Sequence, residues 1–388
     1  MKSEISERKY NLSIDVDAIA AGIAETQYSS GEIPWCRGQK SDPWDHVEAA
    51  IGLSIAGYLQ EARRAYEWLA DTQLEDGSWY AAYIEGVPEG KTRETNMTAY
   101  IAVYEWLADT QLEDGSWYAA YIEGVPEGKT RETNMTAYIA VGIYHYYLIT
   151  EDLTFVRKMW PTVKAAIDFV VSLQAPTGEI YWAISPENKT DHMALLTGSS
   201  SIYMSLKCAQ ALSNLLGYDM PAWKKAMHRL ADAIQNKPQQ FNMTKSRFSM
   251  DWFYPVLTGA ITGQEAQARF DKYWKKFVIE EHGVLCVSNE PWVTIAESCE
   301  LSLALSAIGN YNLSEIVFNW ICDKTFDDGS YWCGYTCPDM TIWPQDKFTW
   351  TNGVVLMAAD AIYNLTPAGK LFSHQYWNSS EFSSFNGM

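Results

Sequence analysis

Acidic side chains set among aromatic ones are where this sequence could do chemistry. The run Glu290-Pro-Trp292-Val-Thr-Ile-Ala-Glu297-Ser-Cys-Glu300 puts three carboxylates at one helix start, and Glu297 and Glu300, three apart, share a face. Leu301, Leu303, Ala304 and Leu305 follow at once, which reads as an inner helix with at least one acid buried. A second stretch sets Asp251 among Phe248, Trp252, Phe253 and Tyr254, surroundings that strip water from a carboxylate and raise its pKa. Asp251 is the first choice for a catalytic acid, although a helix N-terminus also favours an Asp. Two carboxyls facing each other across a cavity would suit glycoside hydrolysis. One protonated carboxyl ringed by Trp and Tyr would instead start and shield a carbocation.

Further candidates stand at other helix starts and in the loops before them. Asp45-His46-Val-Glu48 follows a Pro-Trp turn: Asp45 and Glu48 fit a capping box, and Asp45, His46 or Glu48 could serve as acid or base. Arg131-Glu132-Thr-Asn134 opens another helix, where Glu132 suits the macrodipole and is also a catalytic candidate, and Arg131 and Asn134 could hold a hydroxylated or anionic substrate. His192, next to Asp191, could be a base oriented by a carboxylate. Trp182, Trp252, Tyr254, Trp292, Trp332, Trp343 and Trp350 are expected to line a substrate cavity. Cys333 and Cys337 lack the His and second Cys pair that zinc would want, and no motif supports magnesium, so no cofactor is expected. The sequence holds no G-x-S-x-G, P-loop or G-x-G-x-x-G.

A net charge of −19 opposes any nucleic-acid backbone. There is no apolar run near 18 residues and no apolar stretch of a signal peptide, so a cytoplasmic protein without a transmembrane segment is expected. Seven Cys without framework spacing fit reduced thiols. The 17 Trp and 24 Tyr exceed what an ordinary core needs.

What must position these groups is a set of helices. Apolar periodicity predicts helices over 14–26, 45–58, 60–73, 134–149, 152–173, 199–216, 219–235, 249–261, 264–278, 293–308, 311–323 and 350–364, with almost no strand patterning. Short turns alternate with long loops, so every long loop falls on one rim of an up-and-down array. The last helix has only the first left to pair with. Six hairpins closing head to tail give a single all-α (α/α)6 toroid over 1–388, with its function on the long-loop rim.

Two repeats overlie this array. A loose phrase of Gln, Gly and Trp recurs at Gln27-Gly31-Trp35, Gln73-Gly77-Trp79 and Gln174-Gly178-Trp182, and with Lys at Lys324-Gly329-Trp332. Residues 66–103 and 104–141 are in addition identical tandem copies. That unit carries one helix and one long loop, which would invert the direction of everything after it, so one copy is expected to be extra to the ring.

The Gln-x3-Gly-x-Trp phrases, QLEDGSW above all, resemble the QW motifs of the prenyltransferase and squalene-cyclase toroids. The segment TRETNMTAYIAVGIYHYYLITEDLTFVRKMWPTVKAAIDFVVSLQ is similar to the six-hairpin glycosidases. The first resemblance implies an enzyme working on an isoprenoid or lipid-linked substrate by carboxylate acid/base chemistry. The second implies a carbohydrate enzyme, and a ring that only binds sugar or lipid is the third reading. Departures from the cyclase pattern are plain. Asp15-Val-Asp17-Ala is the nearest approach to D-x-D-D, no D-x-C is present, and Asp327-Asp328-Gly-Ser-Tyr331 breaks D-D-x-x-D at its last position.

Overall fold

The computed structural model describes residues 14–34, 49, 52–58, 60–61, 64–65, 68, 83–84, 87–88, 114, 120–122, 125–127, 131–185, 187–327, 329–345, 347, 349–379 and 382. Its longer helices are α1 (Val16–Thr26), α2 (Thr133–Thr150), α3 (Leu153–Ser172), α4 (Leu196–Leu216), α5 (Pro221–Asn236), α6 (Ser249–Leu257), α7 (Gly263–Phe277), α8 (Ile295–Ala307), α9 (Tyr311–Ile321) and α10 (Thr349–Tyr363). The fold is an (α/α)6 toroid. Helices α2, α4, α6, α8 and α10 pack in sequence as the inner ring. The ring closes where α10 meets α1: a Cβ on Gly52 would lie 2.6 Å from Leu356 and 3.3 Å from Ile23.

Sequence decides which helix is inner. In α4 every residue from Met204 to Ser213 is buried, and in α8 all from Leu301 to Ala307, as an element walled on all sides requires. Outer α5 buries only Trp223, Ala226, Met227, Leu230, Ala233 and Ile234, one stripe at helical spacing. Short turns close the inner-to-outer connections, with Glu151, Gly217 and Gly309 in the left-handed region at their bends.

The older repeat has a physical basis as a clamp between neighbouring outer helices. The Gln27 side chain donates to the Gly31 carbonyl at 2.8 Å and to the Glu61 carbonyl at 3.0 Å, and accepts from Arg64 at 3.0 Å. Gln174 repeats this on Gly178 and Ala226, both at 2.8 Å, and accepts from Arg229 at 3.1 Å. Gly31 and Gly178 have φ of 101° and 113°, and a Cβ there would meet the Arg64 or Arg229 carbonyl at 2.1 or 2.5 Å. Only glycine fits.

Strands are more numerous than the patterning predicts. The identical copies form the same hairpin twice, β1 (Tyr83–Ile84) with β2 (Val87–Pro88) and β3 (Ala120–Ile122) with β4 (Val125–Glu127): Ile84 pairs with Val87 as Ile122 does with Val125. On the rim, β5 (Arg131–Glu132), β6 (Ala183–Ile184) and β7 (Thr190–Asp191) make one small sheet, and β8 (Val278–Ile279), β9 (Gly283–Leu285), β10 (Trp292–Thr294) and β11 (Gly334–Thr336) another. Two- and three-residue strands are too short to show alternation. The helix predicted over 293–308 therefore starts at Ile295, and that over 249–261 stops at Leu257.

The opposite rim is plugged by a segment that periodicity did not reveal, ending in the short helix α11 (His374–Trp377). Its Trp377 ring lies 4.5 Å from Lys207 Nζ, His374 Nε2 sits 2.7 Å from the Val256 carbonyl, and the Tyr376 and Tyr144 hydroxyls share a short hydrogen bond. Among the described residues no helix is long and apolar enough to cross a membrane.

Candidate active site

The sheet β8–β9–β10–β11 delivers the chain into α8, and this places Glu297 in the first turn and Glu300 in the next. The Thr294 hydroxyl donates a short hydrogen bond to Glu297. Glu300 Oε1 accepts from the Tyr254 hydroxyl at 2.8 Å, reached from α6 next door. Burial, and then the negative charge of Glu297, push the Glu300 carboxyl up to about 8, while the Tyr254 bond pulls it down.

These groups face an interior space. Tyr138, one turn below Asn134 on α2, keeps 48% of its surface accessible, yet burial and the nearby Glu300 push its hydroxyl up to about 12. A group that is both accessible and desolvated lines an enclosed cavity. Tyr254 behaves likewise, raised by burial, by Glu300 and by Tyr138, while keeping accessible surface. Deeper down, burial pushes the Tyr203 hydroxyl up to about 12 and His145 down to about 4. Tyr138 and Tyr203 are missing from the sequence-based candidates. The signal for Tyr138 was the polar stripe Asn134, Tyr138 and His145, which shares one face of an inner helix.

Asp251 is differently engaged. Its Oδ1 accepts from the Thr197 amide at 3.2 Å and the Thr197 hydroxyl at 2.6 Å, joining α6 to α4. Burial raises its pKa, opposed by Thr197 and Arg269. Trp252 points into the core, stacked 5.4 Å from Phe277 with its indole N–H on the Arg269 carbonyl. Glu132 is half-buried before α2, its pKa raised by burial and lowered by a hydrogen bond from Trp182. Arg131 donates to Asn188 at 2.6 Å and pairs with Asp114. Asn134 keeps a buried Oδ1 without a hydrogen-bond partner beside Gly198. His192 is exposed and packs 4.6 Å from the Tyr181 ring.

Of the rim tryptophans, Trp292 and Trp343 meet edge to face at 5.3 Å, and Trp332 packs in the same way on Tyr335 at 5.6 Å. Asp45, His46, Glu48 and the side chain of Trp350 lie outside the described residues. Among the described residues no group of three or more His, Cys, Asp and Glu could hold a metal ion.

No family model matches the sequence. Over 353 residues, 91% of this chain and 87% of the relative, it is 41% identical to the MMP endo-(1,4)-3-O-methyl-alpha-D-mannosidase of Mycolicibacterium hassiacum. The chain belongs to this mannosidase's family. Among solved structures it resembles a wild-type glycosidase at a TM-score of 0.54 and 13% identity, over 90% of this chain and 96% of that one. It also resembles the GH63 mannosylglycerate hydrolase of Thermus thermophilus bound to glucose, at 0.53 and 11%, over 88% and 99%. As a member of the mannosidase family the chain is an enzyme, and its likeness to the six-hairpin glycosidases holds. The prenyltransferase and squalene-cyclase resemblance is corrected by the same kinship, and with it the isoprenoid or lipid-linked substrate. The Gln-Gly phrase misled because it encodes a joint between outer helices, which any such toroid can use whatever its cavity holds.

Proposed function

We propose that this protein is a glycoside hydrolase that cleaves an α-mannoside chain in the mouth of its ring, with Glu300 as proton donor. One observation carries the assignment of the acid: the Glu300 carboxyl stands on the cavity wall with the Tyr254 hydroxyl at 2.8 Å as its donor, and burial there, with Glu297 beside it, raises its pKa to about 8, which favours the protonated form at neutral pH. The proton passes to the departing glycosidic oxygen as the bond from that oxygen to the anomeric carbon breaks. Water supplies the new bond to that carbon. Glu297 stabilises the positive charge that develops there and receives the water's proton. Tyr254 orients Glu300, and Tyr138 forms the facing wall.

The substrate class rests on the kinship with an endo-acting mannosidase. Cys208, Cys286, Cys299 and Cys337 are free thiols, which supports a reducing cytoplasm as the compartment. The ring reads best as a single domain that uses 104–141 where α2 begins: Arg131, just before α2, pairs with Asp114 of the same copy. The test is product analysis after incubation with α-1,4-linked manno-oligosaccharides. Shorter mannosides should appear with wild-type protein and be lost with Glu300→Gln. Intact substrate with the wild type would remove the assignment.

A further inference from the structure

Trp343 is 62% exposed, the most of any large apolar side chain among the described residues, and it is nonetheless fixed in place. Its backbone N–H donates to the Gly334 carbonyl at 3.0 Å, its own carbonyl accepts from the Trp292 indole at 3.0 Å, and its ring stands edge-on to Trp292 at 71°. Thr336 and Thr341 both hydrogen-bond Asp339, which ties down the loop leading to it. A large ring held open to solvent by its own backbone is preorganised to meet something flat and partly apolar.

Its position relative to the carboxylates follows from the sheet. Along β10, Val293 is fully buried, so Trp292 and Thr294 point to the opposite face. Thr294 uses that face to bond Glu297. Gly334 lies directly across from Thr294, and a Cβ on it would come 2.8 Å from Trp292 Nε1, so the indole crosses Gly334 on this same face. One surface thus runs from the partner of Glu297, over Trp292, to Trp343. With a strand rise of ~3.4 Å per residue and the ring spacing, Trp343 lies roughly 12 Å beyond Thr294.

Resting on the hydrolase reading above, we propose that Trp343, backed by Trp292, is the platform for a sugar ring about two units away from the bond that is cut. A pyranose offers a face of C–H groups to an indole and keeps its hydroxyls in water, which suits a ring open on its outer side. The enzyme therefore selects chains over single glycosides, and Trp343 sets that selectivity.

The test measures kcat/KM for wild type, Trp343→Ala and Trp343→Phe on α-1,4-linked manno-oligosaccharides of two to six units. In Trp343→Ala the ratio between the six-unit and two-unit chains should fall roughly tenfold, mainly through KM, as expected for the loss of one aromatic contact. Phe should restore most of it. An equal loss at every length, or a wild-type ratio near one, overturns the proposal. If the wild type cleaves no α-mannoside, the hydrolase reading fails separately, and titration of the same chains into Glu300→Gln, followed by tryptophan fluorescence, decides on the platform. Binding that tightens with length, and that Trp343→Ala flattens, supports it; binding independent of length sinks it.

Discussion

Helices α6 and α8 open side by side on the rim, each with a desolvated carboxylate, and the two differ in what answers them. Asp251 on α6 receives two hydrogen bonds from Thr197, one from the amide and one from the hydroxyl, and joins two inner helices. Glu300 on α8 receives one, from Tyr254, and looks into open space shared with Tyr138. Burial raises both. On the proposal above, the carboxylate that Thr197 engages through Oδ1 is a structural joint, and the one that faces the cavity with a single donor from Tyr254 is the reagent.

Removing the reagent should cost most. Glu300→Gln keeps the shape but deletes the transferable proton, and kcat/KM on manno-oligosaccharides should fall by about 10³-fold, within the range for a lost general acid. Glu297→Gln should lose about 10²-fold and should also lower the pH at which the alkaline side of the profile bends, because one source of the raised Glu300 pKa has gone. Both variants should melt close to wild type by calorimetry. A Glu300→Gln enzyme with more than a tenth of wild-type activity would end the distinction between the two helices.

Asp251→Ala probes the other side of the comparison. It leaves the Thr197 amide and hydroxyl without their acceptor inside the protein, at a cost of about 1–3 kcal/mol. The melting temperature should drop by several degrees, while kcat below that temperature falls far less than in Glu300→Gln. A folded Asp251→Ala protein as inactive as Glu300→Gln would reinstate Asp251 as the acid.

The ring was legible because its cause is periodic: apolar stripes of helical spacing and the alternation of short and long connections lie along the chain. Glu297 and Glu300 were legible as a pair because the helix that carries them fixes their spacing. The proposed preference for Glu300 over Asp251 was not. Aromatic neighbours in sequence mark both as desolvated, but the deciding partner of Asp251 is Thr197, 54 positions away and on another helix. Trp252, adjacent to Asp251, turns the other way for the same reason: Phe270 and Phe277, which hold it in the core, come from the outer helix α7.

The smallest change, Tyr254→Phe, separates two views of what the hydroxyl does for Glu300. A hydroxyl donating to Oε1 favours the ionised carboxylate, and here it lowers the pKa against burial and against Glu297. Removing it must therefore raise the pKa further. As the acid works only while protonated, activity is present below that pKa and lost as pH rises through it. The alkaline limb of kcat/KM should thus move above the wild-type value near 8, by less than one pH unit, with only a modest loss at neutral pH. If Tyr254 instead kept the proton on Glu300, the limb would move down. A downward or absent shift would leave Tyr254 a wall of the cavity, and would place the acid on a group that Tyr254 does not touch.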